Sequence, residues 1–113
     1  MSLVLKKIPT TIVDVPVKVP GEEKTVTIQA EWTLHKWDKY REVVDESKKP
    51  TFKDEDLLED LKGLTGIKGE DGKDLTFDKA LVEQLMQETY IRRPLILSWF
   101  AAQEGRNQAA AKN

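Results

Sequence analysis

Hydrophobic positions along this chain follow two periods, a two-residue repeat early and a helical repeat later. Ile12-Val13-Asp14-Val15-Pro16-Val17-Lys18-Val19 is rich in β-branched residues and alternates at Val15, Val17 and Val19. Lys24 to Trp32 alternates again, with Val26, Ile28, Ala30 and Trp32 on one face. Pro20-Gly21 between the runs is a strong turn signal, so the two runs predict a β-hairpin. Pro16 has no N–H for a ladder, which predicts an edge strand or a break at that point. An isolated hairpin is marginal in water and needs a layer packed on it.

The remainder reads as helices. Thr33 is a plausible N-cap for a helix from about Leu34 to Asp45, with Leu34, Trp37, Tyr40 or Arg41, and Val44 at helical spacing. A second helix is predicted over residues 53–62. Asp54, Glu55 and Asp56 sit where the helix dipole favours acids, and Gly63 is placed as the residue that ends it. Gly63, Gly66, Gly69 and Gly72 mark residues 63–74 as a loop. Thr76 is placed as the cap of a third helix from Phe77 to about Glu88. The last helix is expected to start near Ile91 or Arg92, so that Pro94 falls in its first turn. From Gly105 onward no apolar anchor exceeds alanine, which predicts fraying. The fold class is therefore α+β: an N-terminal antiparallel hairpin or small sheet, then about four α-helices. One domain spans 1–107 (β-rich over 8–32, helical over 33–105), and 108–113 form a flexible tail.

Composition narrows the chemistry. The chain has 113 residues, 39% hydrophobic and 34% charged. That is one domain's length with a thin core and a well-solvated surface. The net charge of −2 gives no support for binding nucleic acid. The absence of cysteine removes disulfides, thiolate catalysis and cysteine-based metal sites. The leading residues lack the order of a signal peptide, and no apolar run approaches the roughly 20 residues of a membrane span.

Specific motifs fail in turn. His35 is the only histidine, and its bland reading is a solvent-side helix residue. Gly72-Lys73 lacks the upstream glycine and the hydroxyl of a phosphate loop, having Ile67 and Asp74 at those places. Glu70, Asp71 and Asp74 do not follow the spacing of a calcium loop. No acid, base or nucleophile constellation emerges, so neither catalysis nor a cofactor or metal is expected. The acidic run Asp54, Glu55, Asp56, Glu59 and Asp60 reads as a solvated face, or as a surface for a basic partner such as the Arg92, Arg93, Arg106 and Lys112 end of another copy. The aromatics Trp32, Trp37, Trp99, Tyr40, Tyr90 and Phe100 are read first as core.

Leu61-Lys62-Gly63-Leu64-Thr65-Gly66-Ile67 and Glu70-Asp71-Gly72-Lys73-Asp74-Leu75-Thr76-Phe77-Asp78 are followed by a helix with Leu81, Val82 and Leu85. Tyr90, Trp99-Phe100 and a Lys/Asn-containing tail, Ala111-Lys112-Asn113, then close the chain. In this order of features the chain resembles the phage tail assembly chaperones of long-tailed phages and prophages. Most of residues 12–113 take part, and residues 61–100 carry the specificity. The resemblance implies non-covalent binding of the tape measure protein in the host cytoplasm. It implies that this protein is kept soluble until tail-tube subunits polymerise around it, with the chaperone absent from the mature virion. Tail-tube protein and further copies of the chain are the other partners considered, and membranes are not among them. The last helix is the candidate binding surface, through Leu95, Ile96, Trp99 and Phe100 with Arg92 and Arg93. The competing readings are a tail structural or completion protein and a small regulatory module of the antitoxin or DNA-binding kind.

Overall fold

A computed structural model describes residues 2–109. Strands β1 (Thr10–Lys18) and β2 (Thr25–Thr33) form the expected hairpin, antiparallel, with Val13 opposite Ala30 and Lys18 opposite Thr25. Val19 C=O accepts from Glu22 N–H at 3.1 Å across the turn. Gly21 there has φ +85°, which with Pro20 before it makes a type II turn. Alternation does what the sequence requires. Val13, Val15 and Val17 join Ile28, Ala30 and Trp32 on the buried face, while Asp14, Gln29 and Glu31 lie on the other.

Pro16 does not break β1. Asp14 N–H points away from β2, donating to Asn107 C=O at 2.8 Å. Residues two apart share a side, so the N–H that Pro16 lacks belongs to that outer edge and costs no bond with β2. The expected fraying of the end does not occur at its first residues. Ala109 N–H donates to Ile12 C=O at 3.0 Å, and Val13 bridges Gln108. Backbone pairing with an open strand edge needs no apolar anchor. The rest of the predicted tail, 110–113, lies outside the described residues.

A third strand lies where the sequence pattern predicts a helix end and a loop. Asp54–Asp60 is a 3-10 helix rather than the α-helix expected over 53–62, and β3 (Leu61–Thr65) follows at once and pairs antiparallel with β2. The sheet order is β1-β2-β3. Gly63 is a strand residue opposite Glu31. The register slips between Glu31 and Trp32, which leaves Lys62 as an extra residue and turns both Leu61 and Leu64 inward despite their odd spacing. Gly66 ends β3 at φ +89°, its Cα approaching Ile28 so closely that an added Cβ would sit 3.4 Å from backbone.

Three α-helices complete the α+β fold: α1 (Trp37–Ser47), α2 (Lys79–Met86) and α3 (Thr89–Gln103). The first starts later than the expected Leu34. Leu34 N–H is taken by Pro9 C=O, and His35 N–H by the Gln103 side chain, so Thr33–Lys36 stay extended. The cap of α2 is Asp78, whose carboxylate accepts from Leu81 N–H at 2.8 Å, and not Thr76. Helix α3 begins at Thr89, which puts Pro94 in its interior and leaves Tyr90 C=O without its helical donor.

The core lies between the sheet and α3, which crosses mainly over β1. Trp32, Trp99, Leu95, Val13 and Val15 are its largest fully buried side chains. Both buried indoles find partners: Trp32 Nε1 donates to Ser98 Oγ and Trp99 Nε1 to Asp60 Oδ2, each at 2.8 Å. Trp37 departs from its expected core role and is largely exposed. No helix among the described residues is long and apolar enough to cross a membrane.

Candidate protein-binding site

Helix α3 was expected to present Leu95, Ile96, Trp99 and Phe100 to a partner. Leu95 and Trp99 are fully buried against the sheet and the 3-10 helix, and Ile96, nearly so, shows only at the lining of a surface groove. They repeat at helical spacing because they face this protein's own core. Arg92 is also committed within the chain. Its Nε and one Nη bond Asp54, the same Nη reaches Glu55 Oε2 at 3.0 Å, and the other Nη donates to Met86 C=O at 3.2 Å. The acidic run thus meets its basic partner inside one copy, at its first two residues. At its other end Asp60 accepts from His35 Nε2 and Trp99 Nε1. His35 is therefore a half-buried tether ahead of α1, not a solvent-side helix residue.

Two predicted residues do reach the surface. Phe100 is half-buried, edge-on to Trp99 at 4.9 Å between ring centres, and Arg93 is exposed with no ion pair among the described residues. They share a shallow groove of about 740 Å³ with Phe52, Lys53, Ile96 and Leu97. Leu97 is the residue that sequence reasoning passed over. It is 53% exposed in the middle of the best-packed helix. The signal was available: at 100° per residue Leu97 points about 200° away from Leu95, off the face that Leu95, Trp99 and Ala102 bury.

Arg92 and Glu55 form the wall between this groove and a second, more apolar one of about 710 Å³. The floor of the second is Leu58, Leu61, Phe77, Val82 and Met86, and its rim includes Glu59 and Glu83. The wall is held by charge. Hydrogen bonding from Arg92 holds the Asp54 carboxyl below its ordinary value, against the opposing effect of burial, and Asp54 in turn raises Arg92. A carboxylate with a depressed pKa stabilises the fold above its unfolded value and loses that contribution as pH falls through the folded one. The bridge is expected to weaken below about pH 4. Asp54→Asn should cost about 1 kcal/mol at neutral pH, a figure already reduced because a third of each side chain meets solvent. The variant should also lose part of the acid dependence. Urea midpoints at pH 7 and pH 3 test both, and an unchanged difference between the two pH values in Asp54→Asn counts against the assignment.

Near the end of α3 the Tyr40 hydroxyl donates to Glu104, which also accepts from Arg106. Tyr40, and then Arg106, lower Glu104, while Glu104 raises Tyr40. This pair ties α1, which buries no residue fully, to α3. Among the described residues no group of three or more His, Asp or Glu is arranged to hold a metal ion. No family model, no curated protein and no solved structure matches the chain.

Proposed function

We propose that this protein is a phage tail assembly chaperone that binds the tape measure protein and keeps it soluble until the tail tube forms. The observation that carries the reading is the groove at Phe52, Leu97 and Phe100. A leucine left in solvent in the middle of an otherwise buried helix, beside two half-buried aromatics, is apolar surface without an internal use. The resemblance over residues 61–100 supports the same reading. The client is a long helical protein whose apolar stripe aggregates until the tube encloses it. A shallow groove of this kind takes one face of a helix, with Arg93 and Lys53 meeting acidic residues beside the stripe. Shallow contact suits a chaperone that must later yield to tube subunits. Many copies along one client supply the avidity that one groove lacks. The chaperone acts in the host cytoplasm and leaves before the particle is complete.

Co-expression with the tape measure protein tests this. The wild-type chain is expected to raise the soluble fraction of the client several-fold. Leu97→Asp is expected to abolish that rise with an unchanged circular dichroism spectrum, because its side chain already stands in water. Phe100→Asp should act in the same direction, with some loss of stability from its contact with Trp99. No gain in client solubility with the wild type, or full activity of Leu97→Asp, overturns the proposal. So does recovery of the chain in stoichiometric amounts from purified virions by mass spectrometry.

A further inference from the structure

We infer that residues 2–8 of one copy occupy the acidic-rimmed trough of a second copy, so that the protein self-associates by exchanging arms. The arm and the trough are complementary in shape and in charge. Residues 2–9 run out from β1 without secondary structure, and every one of them is exposed. Leu3 and Leu5 are 95% and 97% exposed, and Val4 and Ile8 also face solvent. Leu3 and Leu5 are thus bare aliphatic side chains with almost no surface of their own copy against them. The only charges it carries are Lys6 and Lys7, and the first acid of the sequence is Asp14.

The trough offers the counterpart. Leu58, Leu61, Phe77, Val82 and Met86 give an apolar floor large enough for the paired side chains of an extended segment. Leu3 and Leu5 lie on one side of such a segment, about 7 Å apart. Four carboxylates (Glu55, Glu59, Asp78 and Glu83) line the trough against two cations, Lys79 and Arg92. Arg92 is already bound to Asp54 and Glu55. Exposed Glu59 and Glu83 are therefore the charges that Lys6 and Lys7 would meet. A second apolar recess, at Val17, Val26, Ile28, Ile67, Tyr90 and Ile91, has only Lys68 as a charge and would repel the arm's lysines. In the groove at Leu97 the carboxylates Asp54 and Glu55 are paired with Arg92, which leaves Lys53 and Arg93 as its unpaired charges among the described residues. Charge thus favours the trough over these two surfaces. Each copy has one arm and one trough, so exchange is satisfied by a reciprocal dimer or a closed ring. The inference stands apart from the identity of any client, since it uses a different surface and needs no second protein.

The experiment is sedimentation of the full chain, alone, at low salt. The wild type is expected at a mass of at least twice 12.9 kDa at tens of micromolar concentration. Lys6→Glu/Lys7→Glu and, separately, Glu59→Lys/Glu83→Lys are each expected to weaken association at least tenfold, with unchanged circular dichroism. Mixing those two variants pairs each altered arm with the oppositely altered rim and should restore a complex of both chains. Leu97→Asp should associate like the wild type, which keeps this test separate from that of client binding. A monomeric wild type overturns the inference, as it would if the arm lay in its own trough. Association that survives the arm variant, or that the arm variant weakens and the rim variant does not, overturns it equally. So does a mixture that stays dissociated.

Discussion

Trp99→Ala is expected to destabilise the protein by about 3–5 kcal/mol, out of a total of about 5–15 kcal/mol for a domain of this kind. Trp99 is fully buried, and three other groups depend on it. Tyr40 stacks on it with ring centres 6.1 Å apart, Phe100 meets its edge, and Asp60 accepts its N–H. Alanine removes the indole and leaves a void that the hydrogen-bonded sheet cannot close by moving inward. The loss should be felt first in α1, which has no fully buried residue of its own and reaches the core through Tyr40 and Val43. Urea denaturation gives the overall cost, and hydrogen exchange should show the amides of α1 opening before those of β1 and β2. Trp99→Phe keeps most of the apolar contact and loses only the donor, so about 1–2 kcal/mol is expected for it. A Trp99→Ala midpoint that implies less than about 1 kcal/mol would show that the site collapses and that the stack is dispensable.

The second large effect is expected at Asp60. One carboxylate oxygen accepts from both Trp99 Nε1 and His35 Nε2, at 2.8 Å each. With Asp60 as the acceptor, the contact uses the form of His35 that carries Nε2–H. Asp60→Ala strands an indole donor in the core and frees the His35 tether, for an expected loss of about 2–3 kcal/mol. Asp60→Asn retains one acceptor oxygen and should cost less. Because the Trp99 and Asp60 side chains share a bond, their changes should not add. A double-mutant cycle of Asp60→Ala with Trp99→Phe is expected to give a coupling of about 0.5–3 kcal/mol. Additivity within about 0.3 kcal/mol would mean that the bond contributes nothing net.

Parts of the candidate site were legible before the fold was known, and parts were not. Phe100 and Arg93 were named from sequence and do stand at the groove. Leu95 and Trp99 carry the same helical spacing and are fully buried, while Ile96 only lines the groove. An apolar stripe on a helix looks alike whether the protein's own sheet covers it or a partner does. Phe52 and Leu97 enter the groove from a loop and from the polar side of a helix, where periodicity assigns no role. Arg92 looked like a free basic residue because its partners, Asp54 and Glu55, lie 37 or more positions away in the chain.

What the sequence determined by itself is local. Alternation in β-branched residues and the Pro20-Gly21 turn set the hairpin and its inward face, because strand period and turn geometry are properties of a few adjacent residues. Helical spacing located α2 and α3 for the same reason, to within their ends. Tertiary contact alone decided the rest. Leu61–Thr65 has no strand pattern and became β3 because β2 had an unpaired edge beside it, while a bulge repaired the spacing of its leucines. Thr33–Lys36 stayed extended because Pro9 and Gln103 took the N–H groups of Leu34 and His35. Asn107–Ala109 lay down along β1 because backbone groups there were open. In each case the partner is a backbone edge or a side chain distant in the sequence. Hydrogen-bonding groups of that kind are the same for every residue and leave no mark in composition.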